Sequence, residues 1–146
     1  MKRYRTTRPD EAGLDKLIAR TQLQHLLSNT KWVKLLTSLV GQWPAVQECQ
    51  VKLIWEEAYR GRHLLFHEHT SYNFDYYAHA MEAMVSGVPR GWYAYREVEW
   101  LAFPQVTSGE GVVQDLEALQ QQLEAIGQFR LVRSSDSLRL YAYHRP

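Results

Sequence analysis

Three histidines at positions of equal parity are the residues best suited to chemistry, because imidazole binds metals and carries protons near neutral pH. A regular strand would direct His63, His67 and His69 to one face. The rise of a strand places His67 about 6.6 Å from His69, within reach of one ion, but about 13 Å from His63. Since this spacing matches no closed zinc pattern, we predict no structural metal and no cofactor.

Nucleophilic side chains occur without the motifs that normally activate them. Cys49 has no Cys-His signature around it, and no Gly-x-Ser-x-Gly, glycine-rich phosphate loop or His-Glu-x-x-His sequence occurs. Catalytic triads are assembled in space, so the missing motifs do not exclude an enzyme. We favour a protein without turnover. The alternative is a metal-dependent or other small enzyme that uses the strand with His63, His67 and His69.

A stripe of tyrosine and arginine lies near the end of the chain. Four residues of these two types share one parity in the last predicted strand and would lie on one face. They are Arg139, Tyr141, Tyr143 and Arg145. Tyrosine and arginine are enriched at protein interfaces because they combine contact area with a polar end. An ordinary exposed strand face is the other interpretation; we predict that this face binds a protein partner.

Carboxylates form a second candidate surface for a protein partner. Glu56 and Glu57 end a predicted strand, and Glu68 and Asp75 follow further along the chain. If the partner is a toxin that binds nucleic acid or a nucleotide, these carboxylates would mimic phosphate groups. In that version of the hypothesis, Glu56 and Glu57 carry the contact in place of the tyrosine–arginine face.

Length and composition predict one folded unit. The chain has 146 residues, with 45% hydrophobic and 23% charged residues, which predicts a single domain over 1–146 with a disordered tail at 1–9. The single cysteine suits a reducing cytosol. We expect a cytoplasmic protein, since we find no export signal and no apolar stretch of membrane-spanning length. A formal net charge of +1 argues against nucleic acid as the main partner.

Three segments show the apolar spacing of amphipathic helices, at residues 10–28, 31–41 and 112–126. Asp10 and Thr30 are good N-caps, because their side-chain oxygens can accept hydrogen bonds from the free backbone N–H groups of the next turn. Gly41 and Pro44 fit the end of the second helix.

Alternating apolar residues predict strands at 50–56, 63–68, 95–103, 129–133 and 138–144. Residues 70–90 fit either a loop or a helix near 76–84. Because one face of such a sheet must be covered, we predict an α+β fold, an antiparallel sheet of about five strands with three helices on one face. The side chains expected in the core are Trp32, Leu35, Leu39, Trp55, Phe66, Trp100, Leu116, Leu119, Leu123 and Leu140.

Three short motifs combine along residues 29 to 145. Asn29-Thr-Lys-Trp32 opens the second helix, Glu97-Val-Glu-Trp100 lies in a strand, and Tyr141-Ala-Tyr143 lies in the last strand. This combination resembles a bacterial family, domain of unknown function 6678, whose members share an Asn-Thr-Lys-Trp start, a Glu-Ile-Glu-Trp strand and a Tyr-Gly-Tyr strand. Ala142 stands where that family has glycine. The resemblance implies a compact bacterial cytosolic domain of the kind encoded beside toxins, and it supplies no catalytic residues.

These observations favour a protein-binding module. Its most concrete form is an immunity protein or antitoxin that neutralises a cognate bacterial toxin by direct binding. Small size, the missing catalytic motifs and the tyrosine, arginine and glutamate residues on strands support this interpretation. A structural or regulatory domain that binds another protein is the nearest alternative, and the histidine strand is the alternative from a different class.

Overall fold

The computed structural model describes residues 9–59, 61–66, 80–82, 87–88, 92–107 and 111–146. Residues 80–82, 87–88 and 92–93 are described by their backbone alone. Several sequence predictions lie outside the described residues: the tail up to residue 8, His67 and His69, Glu68 and Asp75, and most of the segment 70–90.

The described residues contain three α-helices: α1 (Glu11–Thr21), α2 (Asn29–Gly41) and α3 (Leu116–Ile126). Asp10 caps α1 as predicted, since its carboxylate accepts a hydrogen bond from the N–H of Gly13 at 2.7 Å. Two predicted helix starts are wrong. Ser28 rather than Thr30 caps α2, and α3 begins at Leu116 rather than residue 112, because Asp115 accepts from the N–H of Ala118.

The first helix is shorter than its apolar pattern predicts. Its end is set by Gln22, which takes a left-handed backbone conformation with φ of 56° and donates hydrogen bonds to carbonyls of the last turn. The apolar residues that follow belong to a short strand and a loop, with Leu23 and Leu27 both buried. Tertiary packing therefore decides where α1 ends, whereas the helical spacing of leucines in the sequence continues past that end.

The described residues also contain ten strands, with β1 between α1 and α2 and with α3 between β7 and β8: β1 (Gln24–His25), β2 (Glu48–Leu53), β3 (His63–Leu65), β4 (Ala80–Glu82), β5 (Gly87–Val88), β6 (Trp92–Ala94), β7 (Val98–Pro104), β8 (Arg130–Arg133), β9 (Ser137–Tyr141) and β10 (Tyr143–His144). A 3₁₀ turn at Tyr95–Glu97 precedes β7. The described parts of the segment 70–90, which the sequence predicts to be a loop or a helix near 76–84, are the strands β4 and β5.

The central sheet has six antiparallel strands in the order β5-β3-β2-β7-β9-β8. Two-stranded pairs form between β1 and β10 and between β4 and β6. The α+β class with an antiparallel sheet and three helices is confirmed; the two-residue β5 adds a strand to the five expected. None of the helices in the described ranges has the length and apolar composition needed to cross a membrane.

The core lies between the helices and one face of the sheet. All ten side chains predicted to be in the core are buried. Trp32 of α2 is fully buried and stacks on the ring of Tyr95, with ring centroids 5.3 Å apart. Across the sheet, Val51, Leu101 and Leu140 lie opposite one another in register and are also fully buried.

A buried amide joins the start of α3 to the sheet. The Oε1 atom of Gln114 accepts hydrogen bonds from the backbone N–H groups of Gln47 (2.7 Å) and Glu48 (3.0 Å). Its Nε2 atom donates to the carbonyls of Pro104 (2.8 Å) and Glu48 (3.2 Å). The side chain is 2% exposed, so it satisfies backbone groups that water does not reach.

Candidate functional site

The face of the sheet opposite the helices carries polar and aromatic side chains in two cross-strand rows. Residues directly opposite each other in an antiparallel sheet share a face, so each row runs across several strands. The first row comprises Arg130, Tyr141, Trp100 and Lys52. The second comprises Val132, Arg139, Ala102, Gln50 and His63. The two rows bring one end of β7 and the hairpin of β8 and β9 into a single surface.

Two arginines lie over two aromatic rings at the β8–β9 end of this face. The guanidinium carbon of Arg139 lies 4.0 Å from the ring centroid of Trp100, and that of Arg130 lies 5.3 Å from the ring of Tyr141. We call Trp100, Arg130, Val132, Arg139 and Tyr141 the arginine–aromatic patch. Stacking of a guanidinium on a ring favours one arrangement of both groups already in the free protein.

The arginine–aromatic patch is accessible and positively charged. Arg130 and Val132 are exposed, Val132 at 50%, whereas Arg139 and Tyr141 are half-buried and Trp100 is 7% exposed. Within the described ranges neither arginine of the patch forms an ion pair with a carboxylate, and Arg130 donates to Nδ1 of His144 at 2.6 Å. The charge of the patch is therefore available to an acidic surface.

A buried ion-pair cluster borders the patch on β2 and β7. The register between these strands shifts after Lys52, so that Leu53 lies opposite Val98 and no residue of β2 lies directly opposite Glu99. Such a bulge directs an extra side chain toward one face. The Oε1 atom of Glu99 accepts from Lys52 Nζ at 2.7 Å and from Arg145 Nη2 at 2.8 Å. Two cations on one carboxylate leave a net positive charge beside the patch.

The charge state of Glu99 follows from these contacts. Burial acts to raise the pKa of the carboxyl, but the hydrogen bonds and charges of Arg145 and Lys52 outweigh it and lower the pKa below the ordinary value of 4.5. The same contact raises the pKa of Arg145. Glu99 is therefore an anion held by its partners, which suits a structural role and excludes it as a proton donor near neutral pH.

A small cavity lies at the β3 end of the same face. It has a volume of about 170 Å³ and is lined by Glu48, Gln50, Tyr59, His63, Pro104 and Val106. The Nε2 atom of His63 is 3.9 Å from Oε1 of Glu48, and its Nδ1 atom lies 3.0 Å from the carbonyl of Gly61. In the part of the chain that the structure describes, no three His, Cys, Asp or Glu side chains group as metal ligands.

The cavity gives the enzyme alternative little support among the described residues. His63 is half-buried and reaches one carboxylate, while the other two histidines of that hypothesis lie outside the described residues. Cys49 is fully buried, and burial raises the pKa of its thiol well above the ordinary value. A thiol in that environment is a poor nucleophile, because the thiolate is the reactive form.

The tyrosine–arginine face predicted from the sequence is only partly correct. Arg139 and Tyr141 lie on the patch as predicted. Tyr143 does not: it is 1% exposed, its hydroxyl donates to the carbonyl of Arg96 at 2.7 Å, and burial raises its pKa. Arg145 is committed to Glu99. The chain bends at Ala142 between β9 and β10, so strict alternation fails after Tyr141.

The predicted acidic surface is not assembled by Glu56 and Glu57. Glu56 is 4% exposed and accepts a hydrogen bond from Nε of Arg62 at 2.8 Å, with Arg62 also 5.3 Å from the ring of Trp55. Its charge is therefore neutralised inside the fold. Glu57 is exposed, but alone it does not mimic a run of phosphates.

Sequence reasoning missed Arg130 and Val132 and assigned Trp100 to the core alone. A signal for the first two was present. The turn between β8 and β9 pairs Ser134 with Ser137 through a backbone hydrogen bond of 2.8 Å, which fixes the register of the hairpin. Counting outward from that turn places Arg130 opposite Tyr141 and Val132 opposite Arg139.

Comparison with known proteins identifies no similar protein. No family model matches the chain, and no curated protein and no solved structure shows significant similarity to it. The function is therefore argued from the geometry of the described residues.

Proposed function

We propose that this chain is a protein-binding module that acts without turnover and that the arginine–aromatic patch is its contact surface. The observation that carries the proposal is the pair of arginines stacked on Trp100 and Tyr141, for which the described residues supply no carboxylate partner. In its most concrete form the protein is a cytoplasmic immunity protein or antitoxin that covers a site on a cognate bacterial toxin.

The residue types of the patch suit a binding hot spot. Tryptophan, tyrosine and arginine contribute disproportionately to interface energies because each buries a large area and keeps a polar group for pairing. Arg139 and Tyr141 are already half-buried in the free protein, so they lose less side-chain freedom on binding than fully exposed groups would. The neighbouring cluster of Lys52, Glu99 and Arg145 holds β2, β7 and the end of the chain together beneath that contact.

The charge of the patch predicts the chemistry of the partner. Arg130 and Arg139 would each lose water on binding, and an arginine buried without an anion is costly. A partner surface that places carboxylates against them removes that cost and adds paired hydrogen bonds. We therefore propose an acidic site on the partner, which replaces the earlier hypothesis of an acidic surface on this chain.

The test begins with capture of partners from a lysate of the native host, followed by identification and purification of the captured protein. Arg139→Ala combined with Tyr141→Ala should weaken its binding by about 30-fold or more, the effect of losing a hot spot. Arg20→Ala, an exposed arginine on α1, is the matched control and should bind like wild type. If the partner is a toxin, co-expression of wild type should restore growth and the double variant should not.

Two outcomes would contradict the proposal. Equal affinity of the double variant and wild type would show that the patch is not the interface. Turnover of a substrate by the purified protein, with no partner recovered, would show that the protein is an enzyme. Thermal unfolding of each variant separates loss of contact from loss of fold.

A further inference from the structure

The outermost strand of the sheet on the patch side is exposed along its length. β8 is the last strand in the order of the central sheet, with β9 as its neighbour. Arg130, Val132 and Arg133 are exposed and Leu131 is half-buried against the core. The strand therefore presents a border of the sheet to solvent, directly beside the arginine–aromatic patch.

The hairpin register determines which backbone groups of β8 face outward. Hydrogen-bonded and non-bonded pairs alternate in an antiparallel ladder. Ser134 donates to Ser137, so the pairs that contain Val132 and Arg130 are also the bonded ones. The N–H and C=O groups of Leu131 and Arg133 consequently point away from β9. An edge that offers outward donors and acceptors in this way can pair with another strand.

The charges on β8 select what can pair there. Arg130 and Arg133 flank the exposed Val132, and neither has a carboxylate partner in the part of the chain that the structure describes. A second copy of β8 would bring arginine close to arginine across the new ladder, which is destabilising. A strand with carboxylates at the facing positions would be stabilised by the same rule. The two arginines therefore disfavour pairing with a second copy of β8 and favour pairing with an acidic segment.

We propose that β8 accepts an extended, acidic segment of the partner protein as an additional antiparallel strand. In the partner segment, the residues opposite Arg133 and Arg130 would be acidic and the residue opposite Val132 would be apolar. The residue opposite Leu131 could be of any type. Backbone hydrogen bonds to Leu131 and Arg133 give affinity, and the two carboxylates give selectivity. This inference rests on the proposed function, because it specifies how the partner reaches the patch.

A synthetic peptide provides the first test. The probe is acetyl-Thr-Glu-Val-Thr-Glu-Val-Thr-amide, which contains the required pattern, and the control has glutamine in place of both glutamates. The glutamate peptide should slow hydrogen exchange at the backbone amides of Leu131 and Arg133. Exchange at the amide of Val132 should not change, because that N–H already pairs with β9. The inference would be wrong if neither peptide slowed exchange at the Leu131 and Arg133 amides at millimolar concentration. It would also be wrong if the glutamine control protected them as well as the glutamate peptide.

A matched pair of variants provides the second test, with the partner identified through the patch. Arg133→Ala and Arg133→Pro both remove the charge, but only proline removes the outward N–H, which an edge strand tolerates. Arg133→Pro should bind the partner at least tenfold more weakly than Arg133→Ala. If the two bind equally while the Arg139→Ala and Tyr141→Ala variant still loses binding, strand addition is wrong and the proposed function stands. If the patch variant binds like wild type, the proposed function itself fails. Should Arg133→Pro not fold, the exchange measurement on wild type decides.

Discussion

The two faces of the central sheet are built from adjacent residues of the same strands and yet differ completely in chemistry. On the helix side, Leu131, Leu140, Leu101 and Val51 form one apolar row across four strands. The adjacent residue of each strand lies on the other face, which carries Arg130, Tyr141, Trp100 and Lys52. Burial does not separate the faces, since Trp100 and Lys52 are each only 7% exposed.

What separates the two faces is how their side chains are satisfied. Apolar groups on the helix side need only close packing, which is not directional and tolerates many arrangements. Lys52, Glu99 and Arg139 on the other face need specific partners at specific distances. The first face therefore supplies most of the stability, and the second fixes the position of groups that a partner can recognise.

The largest effect is expected in the helix layer. Trp32→Ala should lower the free energy of unfolding by about 4 kcal/mol, because it removes a fully buried ring and leaves a cavity beside Tyr95. Denaturant unfolding at equilibrium measures the change. Val113→Ala, at a position 68% exposed, is the control and should be nearly neutral. An unchanged midpoint for Trp32→Ala would mean that the core has been misplaced.

On the opposite face, the ion-pair cluster should also be sensitive. Glu99→Gln should cost about 3 kcal/mol near neutral pH, because it leaves the buried Lys52 without its anion. The pKa of Glu99 is lower in the folded state than in the unfolded chain, so the stabilisation is complete above the unfolded value and is lost as pH falls through the folded value. The difference between wild type and variant should therefore be constant from pH 7 to about 5 and shrink below 4.5. A difference that does not depend on pH would contradict this account.

The buried amide of Gln114, which joins the start of α3 to the sheet, should have an intermediate effect on stability. Gln114→Ala should cost about 2 kcal/mol, because the backbone N–H groups of Gln47 and Glu48 lose their acceptor in a place that water does not reach. Gln120→Ala, on the outer side of α3, is the control. Increased amide exchange at residues 47 and 48 in the Gln114→Ala variant would locate the effect, and a neutral result would show that the amide is dispensable.

The smallest effect on stability is expected at the patch. Arg139→Ala removes one cation–π contact at a half-exposed position, which is worth about 0.5–1 kcal/mol. A loss of more than 3 kcal/mol would indicate that the patch is part of the structural framework. Near-neutral stability combined with lost partner binding would separate the two roles.

The helix-facing side of the sheet was predictable from the sequence for a simple reason. Apolar alternation in strands and apolar spacing in helices report burial directly: nine of the ten predicted core side chains belong to the hydrophobic core, and Trp100 is buried on the opposite face. The patch was harder, because alternation predicts a shared face only while a strand stays regular. The bend at Ala142 moved Tyr143 into the core, and the bulge at Glu99 gave Lys52 and Arg145 a common partner. Neither irregularity has a signature that these residues display in sequence.

Helix and strand boundaries failed for a related reason. The leucines after Thr21 continue a helical repeat, and the structure uses them instead in β1 and the loop that follows. Local propensity cannot register that Gln24 and His25 find hydrogen-bond partners near the far end of the chain. The partner of Glu56 was likewise invisible, since Arg62 approaches it only through the turn between β2 and β3.

The pairing of β1 with β10 also sets an order of events during synthesis. Gln24 and His25 leave the ribosome before their partners His144 and Tyr143, which lie far later in the sequence. Until then β1 has no ladder to join, and the leucines on either side of it, Leu23 and Leu27, have no finished core to enter. The β1–β10 pair can therefore form only after β10 has been synthesised, and until then Leu23 and Leu27 lack part of the core in which they are buried.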